Sequence, residues 1–131
     1  MKRTYLIIAI VVGILAIWLF IRFVLGGNED SWIKDSRGVW IKHGNPSETP
    51  SLVLEQQQAV SCALNLYNTY EKELNLSSQC LGTCGNYAVD IVHVPRTSDD
   101  NLIENQCSDY NDGKVSRFIE LDKYGEIVRI A

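Results

Sequence analysis

The residues of this chain best suited to chemistry are Cys62, Cys80, Cys84 and Cys107, together with His43 and His93. A thiolate is both a nucleophile and a metal ligand, and an imidazole serves as a base or as a ligand. A zinc site would draw on Cys80, Cys84, Cys107 and His93, because zinc takes four N or S ligands in a tetrahedron. The spacing Cys80-x-x-x-Cys84 departs from the usual C-x-x-C pair. The same departure weakens a redox pair, which also wants a helix N-terminus to lower one thiol's pKa. No G-x-S-x-G turn accompanies either histidine, so nucleophilic hydrolysis has no anchor. Asp99, Asp100, Glu104, Asp109 and Asp112 make an acidic loop whose spacing does not fit a calcium-binding loop. It reads as a solvated loop. Alternating with Val89 and Ile91, His93 reads as a satisfied histidine of a sheet.

The compartment decides what the cysteines do. Residues 5–25, YLIIAIVVGILAIWLFIRFVL, carry a single charge, Arg22. At about 1.5 Å per residue they span about 30 Å, the hydrocarbon thickness of a bilayer. Lys2 and Arg3 precede the run, and Glu29 and Asp30 follow it. The positive-inside rule then predicts a cytoplasmic N-terminus, residues 1–4, and an extracytoplasmic C-terminal part. The apolar run is longer than a signal-peptide core, and no A-x-A-like site follows it, which predicts an uncleaved anchor. Arg22 can snorkel to the outer interface. Without the Gly and Glu of a type IV pilin leader, and with Gly26-Gly27 breaking the helix, the run is not read as pilin-like.

All 16 acidic residues and nine of the 12 basic ones lie beyond residue 25, leaving that part at −7. This sign disfavours nucleic acid and anionic lipid surfaces as partners. Outside the cytoplasm, four cysteines in a small domain read as two disulfides. Three connectivities are open. Cys62–Cys80 with Cys84–Cys107 is preferred, because the second bridge would join the start of one strand to the loop before another.

These residues need a scaffold, and the sequence predicts an α+β one. Residues 26–31 form a polar linker, with a reach of at most ~20 Å. The domain occupies 32–131. Trp32-Ile33-Lys34 and Val39-Trp40-Ile41-Lys42 flank a turn and predict a hairpin over 32–42. Trp32 and Trp40 would share a face and are candidates for a contact surface. Thr49 as N-cap and Pro50 as first residue start a helix expected over about 50–74. Its apolar stripe is Ala59, Cys62, Ala63, Leu66, Tyr70 and Leu74, with Gln56 on the polar face. Asn75-Leu76-Ser77 is a possible glycosylation sequon. Cys80–Gly85 reads as a glycine-containing loop. Strands are expected at about 87–94, 116–122 and 126–130, the last two as a hairpin around Lys123-Tyr124-Gly125. The helix would lie on an antiparallel sheet.

The segment Trp32-Ile33-Lys34, then Gly38-Val39-Trp40-Ile41-Lys42-His43-Gly44-Asn45-Pro46-Ser47, resembles a W-I-C, G-x-W-x-K-H-G-N-P-S pattern. That pattern occurs just outside the anchor of a family of small membrane-anchored proteins of archaea and candidate-phylum bacteria. Glu104-Asn105-Gln106-Cys107 and the stretch from Gly113 to Ile130 are similar to the same kind of protein. The resemblance implies a surface-exposed, tethered protein and supplies no activity. Lys34 stands where the pattern often has Cys, so a disulfide at that position cannot form.

The expectation is a single-pass, non-enzymatic module without metal or cofactor. It sits in the bilayer through residues 5–25 and either binds a neighbouring membrane or envelope protein or contributes to the structure of the envelope. The alternative is a small redox or metal module using Cys80, Cys84, Cys107 and His93.

Overall fold

A computed structural model describes residues 2–24, 30–71 and 78–131. Contacts divide the chain into two units, residues 1–33 with 41–49 and residues 34–40 with 50–131. In the first, helix α1 runs Lys2–Val24. Its span Arg3–Val24 is long and apolar enough to cross a membrane. Strands β1 (Ser31–Lys34) and β2 (Trp40–His43), all but Lys34 and Trp40 in this unit, pair as the expected two-stranded sheet.

The second unit is α+β. Helix α2 spans Ser51–Tyr70. Pro50 is its N-cap rather than its first residue, and its carbonyl accepts the Val53 and Leu54 N–H groups. Residues 72–77, with Leu74 and the sequon Asn75, lie outside the described residues. The buried stripe is Val53, Gln56, Ala59, Ala63 and Tyr67, so Tyr67 takes the place expected of Tyr70, which is exposed. Gln56 turns inward because the chain gives its amide two partners. It accepts from Trp40 N at 2.8 Å and donates to the Gly38 carbonyl at 3.0 Å. Gly38 has φ +84°, and a Cβ there would meet the Ile130 carbonyl oxygen at 2.1 Å, so the 35–38 turn admits only glycine.

The four strands are β3 (Cys80–Cys84), β4 (Tyr87–Ile91), β5 (Arg117–Leu121) and β6 (Ile127–Ile130), in that spatial order. Pairs β3–β4 and β5–β6 are antiparallel, but β4–β5 is parallel, so the sheet is mixed rather than antiparallel throughout. A parallel pair requires a long crossover. Here residues 92–116 supply it, folded into two 3₁₀ turns and a one-turn helix α3, Ser108–Asn111. The expected loop at Cys80–Cys84 is a strand.

That strand decides the disulfides. Cys80 pairs with Asp90 and Gly82 with Val89, so Leu81 is an extra residue in a β-bulge. A bulge changes which face the following residues meet. Cys84, opposite Tyr87, faces α2; Cys80, opposite Asp90, faces the crossover. The bridges are therefore Cys62–Cys84 and Cys80–Cys107, not the preferred pairing. On the α2 side, Tyr87, Val89, Ile91, Ile119, Leu121 and Ile130 meet Ala59, Ala63 and Tyr67. On the other, Ala88 packs with Cys107 and Val115, flanked by Tyr110 and Phe118.

Candidate functional site

A groove of about 440 Å³ lies where β4 and β5 end. One wall is Val92–Pro95 with Thr97; the other is the β5–β6 turn, Asp122, Lys123 and Tyr124. The walls are held together by Val92 N, which donates to the Leu121 carbonyl at 2.8 Å. Asp122 shapes the turn by accepting from Tyr124 N and Glu126 N at 2.8 and 2.9 Å. From α2, the Tyr67 hydroxyl donates to the Lys123 carbonyl at 2.9 Å. Gly125, at φ +78°, lies under the Tyr67 ring, where a Cβ would come within 2.7 Å. Helix and turn are thereby locked. Val94 and Tyr124 remain 64% and 70% exposed, so the groove offers apolar surface to solvent.

The polar end of the groove is His93. Its Nδ1 is 2.9 Å from Oδ1 of Asp100, a carboxylate only 1% exposed. Asp100 also accepts from Thr97 N at 2.7 Å, Thr97 Oγ1 at 3.2 Å, His93 N at 3.2 Å and Gln79 Nε2. Burial alone would raise its pKa. The donors of Thr97, His93 and Gln79 overcome this and hold the carboxyl well below the usual carboxylate range. An ionised Asp100 accepts the Nδ1 proton of His93 and so leaves Nε2 as the outward-facing nitrogen of the ring. This fixes the ring as a hydrogen-bonding post.

A second polar cavity, about 170 Å³, lies on the crossover side of the sheet. Glu120 accepts there from Arg96 at 2.9 Å and from Arg129 at 3.1 Å. Arg129 also lies 4.7 Å from the Phe118 ring centroid. Beside them is Asp90, 8% exposed, which accepts from Cys107 N at 3.0 Å.

The residues expected to act together are separated. Cys84 is bridged to Cys62, Cys80 to Cys107, and His93 is engaged by Asp100. Sulfurs joined in a disulfide are not the thiolates that zinc requires. Cys80 and Cys107 do lie near Asp90, but as a bridge. Trp32 donates from Nε1 to the Glu48 carbonyl at 3.0 Å, and Trp40 is capped by Lys34, 5.2 Å from its ring centroid. Both tryptophans are half-buried.

Asp100 was hidden in what reads as a solvated acidic loop. Its signal is Thr97-x-x-Asp100, the spacing of a capping box, in which the later side chain reaches back to the earlier N–H. Asp90, between Val89 and Ile91 in an apolar strand, is the other residue that sequence reasoning passed over. A charge within a short apolar run signals a partnered buried group. No family model, curated protein or solved structure matches the chain.

Proposed function

We propose that the chain is a single-pass, membrane-tethered binding module. Its N-terminus is cytoplasmic and its disulfide-stapled domain lies outside, where the groove between Val92–Thr97 and Asp122–Tyr124 takes an apolar side chain from a neighbouring membrane or envelope protein. The observation that carries this is the groove itself: apolar residues left in solvent on walls that Tyr67 and Asp122 make rigid. Exposed apolar surface with a fixed polar group beside it is the usual composition of a recognition site. His93 would supply the orienting hydrogen bond. The apolar helix α1 and two disulfides support the location, since disulfides persist in oxidising compartments. The resemblance of residues 32–47 and 104–130 to tethered surface proteins of archaea and candidate-phylum bacteria supports the same reading.

The experiment is site-specific photo-crosslinking from position 124 in the full chain in its native membrane, combined with protease protection of intact cells. Expected are protease access to the domain from outside and a discrete adduct with a membrane or envelope protein, lost in Val94→Asp. An adduct that persists in Val94→Asp, or a domain protected from external protease, would contradict the proposal.

A further inference from the structure

We propose that Cys80–Cys107 is an exchange-active disulfide, opened by an external dithiol, with Asp90 as the acid that protonates the leaving sulfur. A carboxylate oxygen of Asp90 and both sulfurs lie within 4.8 Å of one another. The backbone fixes this arrangement: Cys80 is the ladder partner of Asp90, and Cys107 N donates to Asp90 Oδ1. Cys62–Cys84 joins a half-buried Cys62 to Cys84 of the apolar cluster beneath α2, and among the described residues no carboxylate is grouped with it as Asp90 is with Cys80 and Cys107.

The two sulfurs of the bridge differ in access. Cys80 is half-buried, whereas Cys107 is 1% exposed. An incoming thiolate therefore attacks Cys80 Sγ. The Cys80–Cys107 bond breaks, a mixed disulfide forms on Cys80, and the electron pair goes to Cys107 Sγ. That sulfur lies 3.4 Å from the Val89 carbonyl oxygen and 3.5 Å from that of Gly82. Two carbonyl oxygens repel a thiolate but accept from a thiol, so the leaving sulfur needs a proton as it departs. Asp90 gives that proton and becomes a carboxylate; water in the adjoining 170 Å³ cavity restores it. The second thiol of the dithiol, its proton lost to solvent, resolves the mixed disulfide. Cys80 leaves as a thiolate and takes a proton from water. Two electrons have passed from the dithiol to the bridge, and the dithiol ends as a disulfide.

The surroundings keep Asp90 protonated in mildly acidic water. Burial pushes its carboxyl up to about 6; the Cys107 N–H opposes this, Glu120 on β5 reinforces it, and Arg96 opposes it. Both Arg96 and Arg129 are engaged by Glu120, and Tyr110 of α3 completes the lining. A carboxylic acid with a pKa near the working pH is an efficient proton donor.

The test is reduction of the full chain in detergent by limiting dithiothreitol, with acid quench, alkylation and peptide mapping. Rates are divided by the thiolate concentration at each pH. Expected is alkylation of Cys80 and Cys107 while Cys62–Cys84 stays intact. The normalised rate should fall as pH rises through about 6. Asp90→Asn should slow opening at pH 5.5 by about tenfold or more, without changing Cys62–Cys84. Glu120→Gln, which removes the neighbouring charge, should move the midpoint of the profile down. Reduction of both bridges together, a slowing in Asp90→Asn shared equally by Cys62–Cys84, or a wild-type profile with no break near 6 would each overturn the proposal.

Discussion

On one face of the four-stranded sheet, Tyr87, Val89, Ile91, Ile119 and Leu121 meet α2 through apolar contact. On the other, Asp90, Glu120, Arg96 and Arg129 lie with the 92–116 crossover. Each side carries one disulfide. The helix side derives its stability from area removed from water, which is insensitive to pH. The crossover side depends on satisfied charges and so inherits their titration. Two buried aspartates on that side show how far environment alone divides one residue type. Asp100 has five donated hydrogen bonds and is held ionised. Asp90 accepts from Cys107 N and is pushed toward its neutral form.

The sharpest way to break this comparison is Asp100→Asn. An amide there would present N–H groups to donors, and the loss should be about 4 kcal/mol, measured by denaturant unfolding at pH 7. A loss below about 1 kcal/mol would mean that the crossover does not depend on this carboxylate. The pH dependence follows the same logic. The folded carboxyl of Asp100 lies below its ordinary 3.8, so its contribution is present at neutral pH and is lost as the solution falls below about 4.

On the helix side, replacing Cys62 and Cys84 together by Ala should cost about 3 kcal/mol, because the bridge closes a 22-residue separation. Unlike that of Asp100→Asn, this loss should not shrink as the pH falls below about 4.

Asp90 should behave oppositely to Asp100. Its folded carboxyl is raised to about 6, so the stability that it contributes is complete below about 4 and is lost as pH rises through about 6. Asp90→Asn should therefore gain up to about 2 kcal/mol at pH 8, while flattening the slope between pH 4 and 6. A variant less stable than the parent at pH 8 would contradict the raised carboxyl. Smallest of all, Tyr124→Ser should change stability by less than about 0.5 kcal/mol, since the ring is exposed. A larger loss would show that the groove wall belongs to the core.

How much of this was legible in the sequence varied with the range of the forces involved. The apolar run of α1, the α2 helix and the β5–β6 hairpin are local patterns, and all three appear at nearly the expected residues. The tether and the sequon fall mainly in segments outside the described residues. What was not legible depends on a single extra residue or on long-range pairing. Leu81 inverts the parity of β3, and no local rule announces a bulge there. The parallel register of β4 and β5 comes from a crossover whose composition resembles an ordinary polar loop. Gln56 reads as a polar-face residue of α2 and turns inward, because its partners, Trp40 N and the Gly38 carbonyl, are brought to it only by the fold. The groove joins residues some 30 positions apart in the chain, and the one local sign of its polar end, the Thr97-x-x-Asp100 spacing, lies within what reads as a solvated loop.

The order of the bridges along the chain has a consequence for biogenesis. Their connectivity is interleaved: the first cysteine joins the third, and the second joins the fourth. Under the proposed topology the domain crosses the membrane after α1, so Cys62 and Cys80 reach the oxidising side before Cys84 and Cys107. An oxidase acting on the emerging chain meets the non-native pair first. Maturation therefore depends either on delaying oxidation until the strands have paired or on an isomerase that reshuffles an early Cys62–Cys80 bridge. A host that has an oxidase but no isomerase should accumulate the mispaired isomer.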